Sequence, residues 1–215
     1  MSTELAILLF DGLTALDAVG PYEVLSRVPD VELSFVAATP GLKRTDNGLL
    51  QLMAPRSLDD LPRPEVVLVP GGHGEVQVRE DTRVLDWLRR AHESTRFTTS
   101  VCTGSLVLAA AGLLDGVRAT THWTGMEELG RLGAVPIEER VVREGKIITA
   151  AGVSSGIDMA LVLAGELTDD DTARAIQLSI EYDPQPPFDA GSTSAAPAHI
   201  VEHQRATSRF ATRSR

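Results

Sequence analysis

Cys102 is the only cysteine of the chain, and its neighbours place it where a thiol can react. Phe97-Thr98-Thr99-Ser100-Val101 is β-branched and aromatic and predicts a strand. Leu106-Val107-Leu108-Ala109-Ala110-Ala111-Gly112 predicts a helix ending near Gly112. Cys102 falls at the joint. A thiol there faces free backbone N–H groups and the positive end of a helix dipole, and both favour the nucleophilic thiolate. Such a turn resembles the nucleophile elbow of α/β enzymes, from which a side chain attacks an electrophilic carbon. The bland alternative is a small buried hydrophobe.

Two other strands deliver chemistry to the same edge. Leu5 to Phe10 is a continuous apolar run that leads through Asp11-Gly12 to Asp17. Glu65 to Pro70 is another, halted by Gly71-Gly72-His73-Gly74. Asp17 could shuttle protons. A carboxyl beside a thiolate tends to stay protonated, because two anions repel, and the pair then titrates as a unit. The alternative for Asp17 is a helix cap before Ala18. Gly71 and Gly72, with the N–H after Cys102, could donate hydrogen bonds to developing negative charge. Their alternative is a plain tight turn. His73 could line the pocket and His122 could approach it, although a structural role is the commoner one for either. His199 and His203 have i,i+4 spacing without a third ligand, so no metal site is expected. Asp169-Asp170-Asp171 reads as a charged helix start. No Walker-type loop and no GxGxxG after a strand point to a nucleotide.

The elements that must position these groups alternate. Val31 to Ala38 predicts a second strand. Thr45 to Met53 predicts an excursion or small hairpin. A helix opens near Pro21, and Asp81 to Glu93 has helical spacing. Arg118 to Trp123 predicts a short strand and Met126 to Leu132 a helix. Arg140 to Thr149 predicts a hairpin turning at Glu144-Gly145. Ser155 to Leu167 and Asp170 to Glu181 predict two closing helices, stopped by Pro184, Pro186 and Pro187. Alternation of this kind implies a doubly wound, mostly parallel α/β sheet sandwiched between helices. In such sheets ligands bind beyond the carboxyl ends of the strands, where Asp17, Gly71-Gly72 and Cys102 fall.

The 215 residues show no break in composition, and Gly, Ser, Thr, Ala and Pro dominate from about Phe188 onward. We expect a single domain over residues 1–192 and a flexible polar tail over 193–215. The net charge of −10 argues against nucleic acid as a partner, despite Arg205, Arg209, Arg213 and Arg215 in the tail. One cysteine excludes an intrachain disulfide framework. The first residues lack a signal-peptide pattern, and the apolar runs are too short to span a bilayer. A cytoplasmic protein without a membrane partner is the expectation.

Taken as a set, the motifs resemble a known family. Asp11-Gly12-Leu13-Thr14-Ala15-Leu16-Asp17, Val69-Pro70-Gly71-Gly72, Ser100-Val101-Cys102-Thr103-Gly104 and Ala119-Thr120-Thr121-His122-Trp123 resemble the ThiJ/PfpI superfamily. So do Gly152 to Asp158 and Glu181 to Phe188. Within it the chain is similar to the isocyanide hydratase branch, through Ala110 to Leu114, Val135 to Val142 and Pro186-Pro187-Phe188. The resemblance implies a flavodoxin-like, glutamine amidotransferase-like fold. It implies a homodimer that adds water to a small isocyanide, giving an N-substituted formamide, with no cofactor and no metal. Cys102 then matches the nucleophile and Asp17 its acidic partner. Thr103 and the backbone of Gly72 match pocket positions near the sulfur. Superfamily proteases, chaperones and glyoxalases often carry His directly after the cysteine, where this chain has Thr103. The regulator branch appends a helix-turn-helix domain after the Pro-Pro-Phe region, and this chain shows no amphipathic helix pair there. Two alternatives stay open: a glyoxalase-like enzyme on the same site, and a non-enzymatic sensor whose Cys102 oxidises to sulfinic acid.

Overall fold

Strands that are apolar on both faces need cover on both faces, and the arrangement of helices supplies it. The computed structural model describes residues 2–211. Strand β1 (Thr3–Leu8) turns through Gly12 into helix α1 (Ala15–Leu25). β2 (Val31–Ala37) is followed by the hairpin of β3 (Gly41–Arg44) and β4 (Gln51–Ala54), then by short β5 (Arg56–Ser57). β6 (Val66–Val69) leads to the one-turn helix α2 (Glu75–Val78) and to α3 (Thr82–Ser94). β7 (Phe97–Val101) runs into α4 (Gly104–Ala110). Short β8 (Arg118–Ala119), a 3-10 turn (Trp123–Gly125), α5 (Met126–Arg131) and short β9 (Val135–Pro136) form an outlying unit. β10 (Val141–Glu144), β11 (Ile147–Ala150), α6 (Ser155–Leu167), α7 (Asp170–Ser179) and α8 (Ala198–Thr207) complete the chain.

The main sheet has the order β10-β11-β7-β6-β1-β2-β5. All neighbours are parallel except the antiparallel pair β10–β11. This is the doubly wound sheet expected from the alternating pattern. α1, α6 and α7 pack together, and α3 and α4 form a second packed pair. The chain leaves β1 in one direction, to β2 and β5, and returns at β6 on the other side of β1. The crevice beyond β1 and β6 is therefore the topological switch point, where open α/β sheets bind ligands. The core is closed by large side chains such as Trp87, whose indole N–H donates to the Leu61 carbonyl at 2.9 Å. No helix among the described residues is long and apolar enough to cross a membrane.

Three expectations are corrected. The first helix does not open near Pro21: it starts at Ala15 and carries Pro21 inside it. Proline removes one helix hydrogen bond, but Gly20 and Pro21 lie close against Ile157 and Gly156 of α6. Tertiary packing thus overrides a local helix breaker. The consequence is functional, because Asp17 falls in the first turn of α1. Secondly, Arg118 to Trp123 is not one strand. β8 stops at Ala119, and the Thr120 N–H donates instead to Thr149 Oγ1 at 2.9 Å.

Thirdly, the flexible tail expected over 193–215 contains α8, and the chain beyond it docks on the body. The Arg205 guanidinium sits over the Trp123 ring at 5.7 Å, Arg209 pairs with Glu75 at 2.8 Å, and Phe210 lies against Gly125. α8 buries no residue fully, so it has no apolar stripe for periodicity to reveal. Arg213, Arg215 and the rest of the expected tail beyond Ala211 lie outside the described residues.

α4 starts tight against the end of β6. A Cβ on Gly104 would stand 2.1 Å from the Val69 carbonyl oxygen, with backbone atoms of Val69 and Pro70 also within 3 Å. Gly104→Ala is expected to destabilise the protein by roughly 3 kcal/mol. The measurement is urea unfolding, in which the midpoint should fall at an unchanged slope.

Candidate active site

Cys102 is held in a conformation that L-residues rarely adopt. Its φ is +56°, in the left-handed region, which costs a non-glycine residue about 1–3 kcal/mol. Four hydrogen bonds impose it. The Cys102 N–H donates to the carbonyls of Ala150 and Ala151, each at 3.0 Å. Its carbonyl accepts from Thr121 Oγ1 at 3.0 Å and from Ser105 Oγ at 3.2 Å. The backbone is pinned by β11, α4 and the loop after β8, so the turn aims the thiol without using it. This is the elbow the sequence predicts.

Asp17 is completely buried. Its Oδ2 accepts the Gly71 N–H at 2.9 Å. Its Oδ1 accepts no hydrogen bond from the described residues. Burial pushes the Asp17 carboxyl up to about 7, against the pull of the Gly71 N–H and of Cys102. Burial also pushes the Cys102 thiol up, and the charge of Asp17 pushes it further, while the Thr103 N–H pulls it back. The N–H after Cys102 pulls the thiol down as the sequence predicts, but burial and the charge of Asp17 outweigh it. The pair holds at least one proton through neutral pH, and a thiolate forms when Asp17 carries it.

The glycines do something other than expected. The Gly71 N–H is taken by Asp17, and the Gly72 N–H donates to Thr103 Oγ1 at 3.1 Å. Neither is a free donor for developing charge. Their contribution is close approach: a Cβ on Gly71 would stand 2.5 Å from the Thr103 nitrogen and 3.0 Å from Asp17 Oδ2. Gly72 has φ +123°, and a Cβ there would stand 2.3 Å from the Gly12 carbonyl oxygen. Only glycine lets the loop after β6 lie against both the loop after β1 and the elbow.

A cavity of about 340 Å³ opens over the thiol. Cys102, Thr103, Gly72 and His73 line it, while Asp17 and Gly71 stand behind its wall. His122 lines it as well. Its Nδ1 lies 2.8 Å from Thr124 Oγ1, and burial, then the charge of Arg209, pushes its pKa down, favouring the neutral ring. Gly152 carries no side chain between them: a Cβ there would stand 2.3 Å from His122 Cδ2 and 3.2 Å from Cys102 Sγ. Asp46 enters from the β3–β4 hairpin, where it accepts a 2.7 Å hydrogen bond from Thr14.

Sequence reasoning missed the remaining wall. Gln204, Thr207, Ser208, Arg209 and Phe210 come from the C-terminal segment, and Trp123, Thr124 and Val153 from two loops. Arg209 pairs with Glu75, which is fully buried and also pairs with Arg79 at 2.7 Å. Arg79 in turn pairs with Glu128 at 2.8 Å. Burial pushes Glu75 up, with Arg209 and Arg79 pulling the other way. No local pattern marks this network in the sequence: Glu75 reads as an ordinary acidic residue after the glycine loop. His199 and His203 fall on α8, and no group of His, Cys, Asp or Glu among the described residues is arranged to hold a metal.

Fold and site together define a class: a parallel α/β sheet with a cysteine elbow at its switch point and a buried carboxyl beside the thiol. The chain belongs to the DJ-1/PfpI family, whose sequence model matches residues 3–166. It is 46% identical to the isonitrile hydratase of Pseudomonas putida, over 95% of this chain and 90% of that one. It is 28% identical to the HTH-type transcriptional regulator CdhR of Pseudomonas aeruginosa, over 86% of this chain and 55% of the regulator. A THiJ/PfpI family protein from Pseudomonas syringae has a crystal structure that matches with a TM-score of 0.92 at 35% identity, covering 98% of this chain and 89% of that one.

The Asp17 shift makes stability depend on pH. Its folded value, about 7, lies above the ordinary 3.8, so as pH rises the unfolded chain ionises first. The contribution of the buried acid is complete below pH 3.8 and drains away between that point and about 7. Asp17→Asn should remove this slope. Denaturation at pH 4.5 and at pH 8 is expected to show the variant gaining on the wild type at the higher pH, by a few kcal/mol.

Proposed function

We propose that this chain is an isocyanide hydratase, with Cys102 as nucleophile and Asp17 as general acid and base. The observation that carries the reading is the Cys102–Asp17 pair, buried together, with Thr103 and not a histidine directly after the cysteine. The 46% identity to a protein named isonitrile hydratase supplies the substrate class.

In the first step the Cys102 sulfur forms a bond to the terminal carbon of R–N≡C, and that carbon takes the proton from Asp17. The product is a thioimidate, R–N=CH–S–Cys102, with Asp17 ionised. Asp17 then removes a proton from water as the hydroxyl adds to the same carbon, and passes that proton to nitrogen. Finally the C–S bond breaks. The hydroxyl proton returns to Asp17, and R–NH–CHO leaves with the thiolate regenerated. The sum is one isocyanide plus one water, and each covalent step has a lower barrier than direct hydration. A proton donor with a value near 7 suits both directions of transfer at neutral pH.

Trp123, Val153 and Phe210 provide apolar wall for the substituent R, and His122 faces the same cavity. Gly71, Gly72 and Thr103 position the acid and the elbow, and His73 lines the entry side as an exposed residue. The reading keeps the cytoplasmic setting and the homodimer. The hairpin region exposes Leu42, Leu49, Leu50 and Met53, which supports a dimer surface there. The cavity's one ready nucleophile and its proton partner form the reaction without a cofactor.

The test is to incubate the protein with a simple alkyl or aryl isocyanide and follow formamide by chromatography. Wild type should turn it over. Cys102→Ala should lose activity completely, and Asp17→Asn should lose about 100-fold or more in kcat. Full activity in Cys102→Ala would sink the covalent mechanism, and turnover of methylglyoxal with none of isocyanides would move the assignment to the glyoxalase reading.

A further inference from the structure

Arg209 is the one Lys or Arg among the described residues that line the cavity over Cys102. It reaches that wall from beyond α8, a helix that buries none of its own residues fully. What holds it is Glu75. That carboxylate has no solvent exposure, and its Oε1 lies 2.8 Å from an Arg209 guanidinium nitrogen. A buried carboxylate demands a paired cation. Glu75 belongs to α2, the turn that directly follows Gly71-Gly72-His73-Gly74, so the latch is built into the loop that also positions Asp17.

We propose that Arg209 is a positioning residue of the active site: Glu75 fixes its guanidinium in the wall of the cavity over Cys102, and the C-terminal segment is thereby a working part of the site. The proposal rests on the reading of Cys102 as the nucleophile and not on the identity of the substrate. The charged and titratable groups around the thiol are Asp17 on α1, Asp46 from the β3–β4 hairpin, His73 after β6, His122 before the 3-10 turn, and Arg209. Those around Arg209 are Glu75 and Arg79 on α2, Glu128 on α5 behind Arg79, and Arg205 on α8. Within this set Arg209 opposes the two carboxylates: its charge draws the Cys102 thiol down and pushes His122 further towards the neutral ring. Phe210, stacked under the guanidinium at 4.4 Å, and Arg205 over Trp123 keep the segment seated.

The experiment is alkylation of Cys102 by iodoacetamide, followed by mass spectrometry across pH 5 to 10, because it reads the thiolate without any isocyanide. In Arg209→Met the rate at pH 7 should fall about tenfold and the half-point should rise by about one unit. Arg209→Lys should keep most of the wild-type rate, and Glu75→Gln should fall between the two. An Arg209→Met protein with native circular dichroism, the wild-type rate and an unmoved half-point overturns the proposal. If Arg209→Met fails to fold, the double variant Glu75→Gln/Arg209→Gln replaces the ion pair with two neutral amides. The same upward shift is expected from it, and no shift overturns the proposal equally. A wild type that is inert towards isocyanides overturns the hydratase reading alone, and the alkylation half-points still decide this one.

Discussion

Asp17 and Cys102 are sealed in one corner of the protein, and two adjacent anions cannot persist in a medium that solvates neither. That constraint organises the site. It keeps a proton on the pair at neutral pH, and it makes the carboxyl a donor where an exposed aspartate would be an acceptor only. It also explains why the helix end after Cys102 is not enough to make a thiolate by itself. In the proposed reaction, moving the shared proton from sulfur to Asp17 prepares nucleophile and proton donor in one step.

Sealing the corner requires backbones to approach more closely than side chains permit. Gly71 and Gly72 bring the loop after β6 against the loop after β1 and against Thr103. Gly104 lets α4 begin on the last residue of β6, and Gly152 lets His122 and Cys102 share one face of the loop before α6. The elbow itself stores backbone strain at Cys102 that β11, Thr121 and Ser105 hold in place. The chemistry is local, but its geometry is enforced by four separate stretches of chain.

Much of this arrangement was legible. The strand–helix alternation, the hairpin of β10 and β11, and the placing of Asp17, Gly71-Gly72 and Cys102 at strand ends all follow from periodicity and punctuation, which are local properties. The glycine loop is special in the sequence too, but its N–H groups are not free donors, because the partner of each lies tens of residues away. Helix α1 starts earlier than its Pro21 suggests, since the packing of Gly20 and Pro21 against α6 is invisible from either segment alone. The C-terminal segment was misread for a different reason. Its anchors are an ion pair, a cation over a ring and one aromatic contact, none of which leaves a repeating apolar pattern.

The sequence by itself determined the fold class, the nucleophile candidate and its acidic partner, because apolar periodicity, strand ends and a lone cysteine are properties of neighbours along the chain. Tertiary structure alone decided the ionisation of that pair and the identity of the cavity wall. Ionisation depends on how completely water is excluded, and water is excluded by residues brought together from α1, the loop after β6, the turn after β7 and the segment beyond α8. No stretch of sequence carries that sum, because burial is a property of the assembled surface.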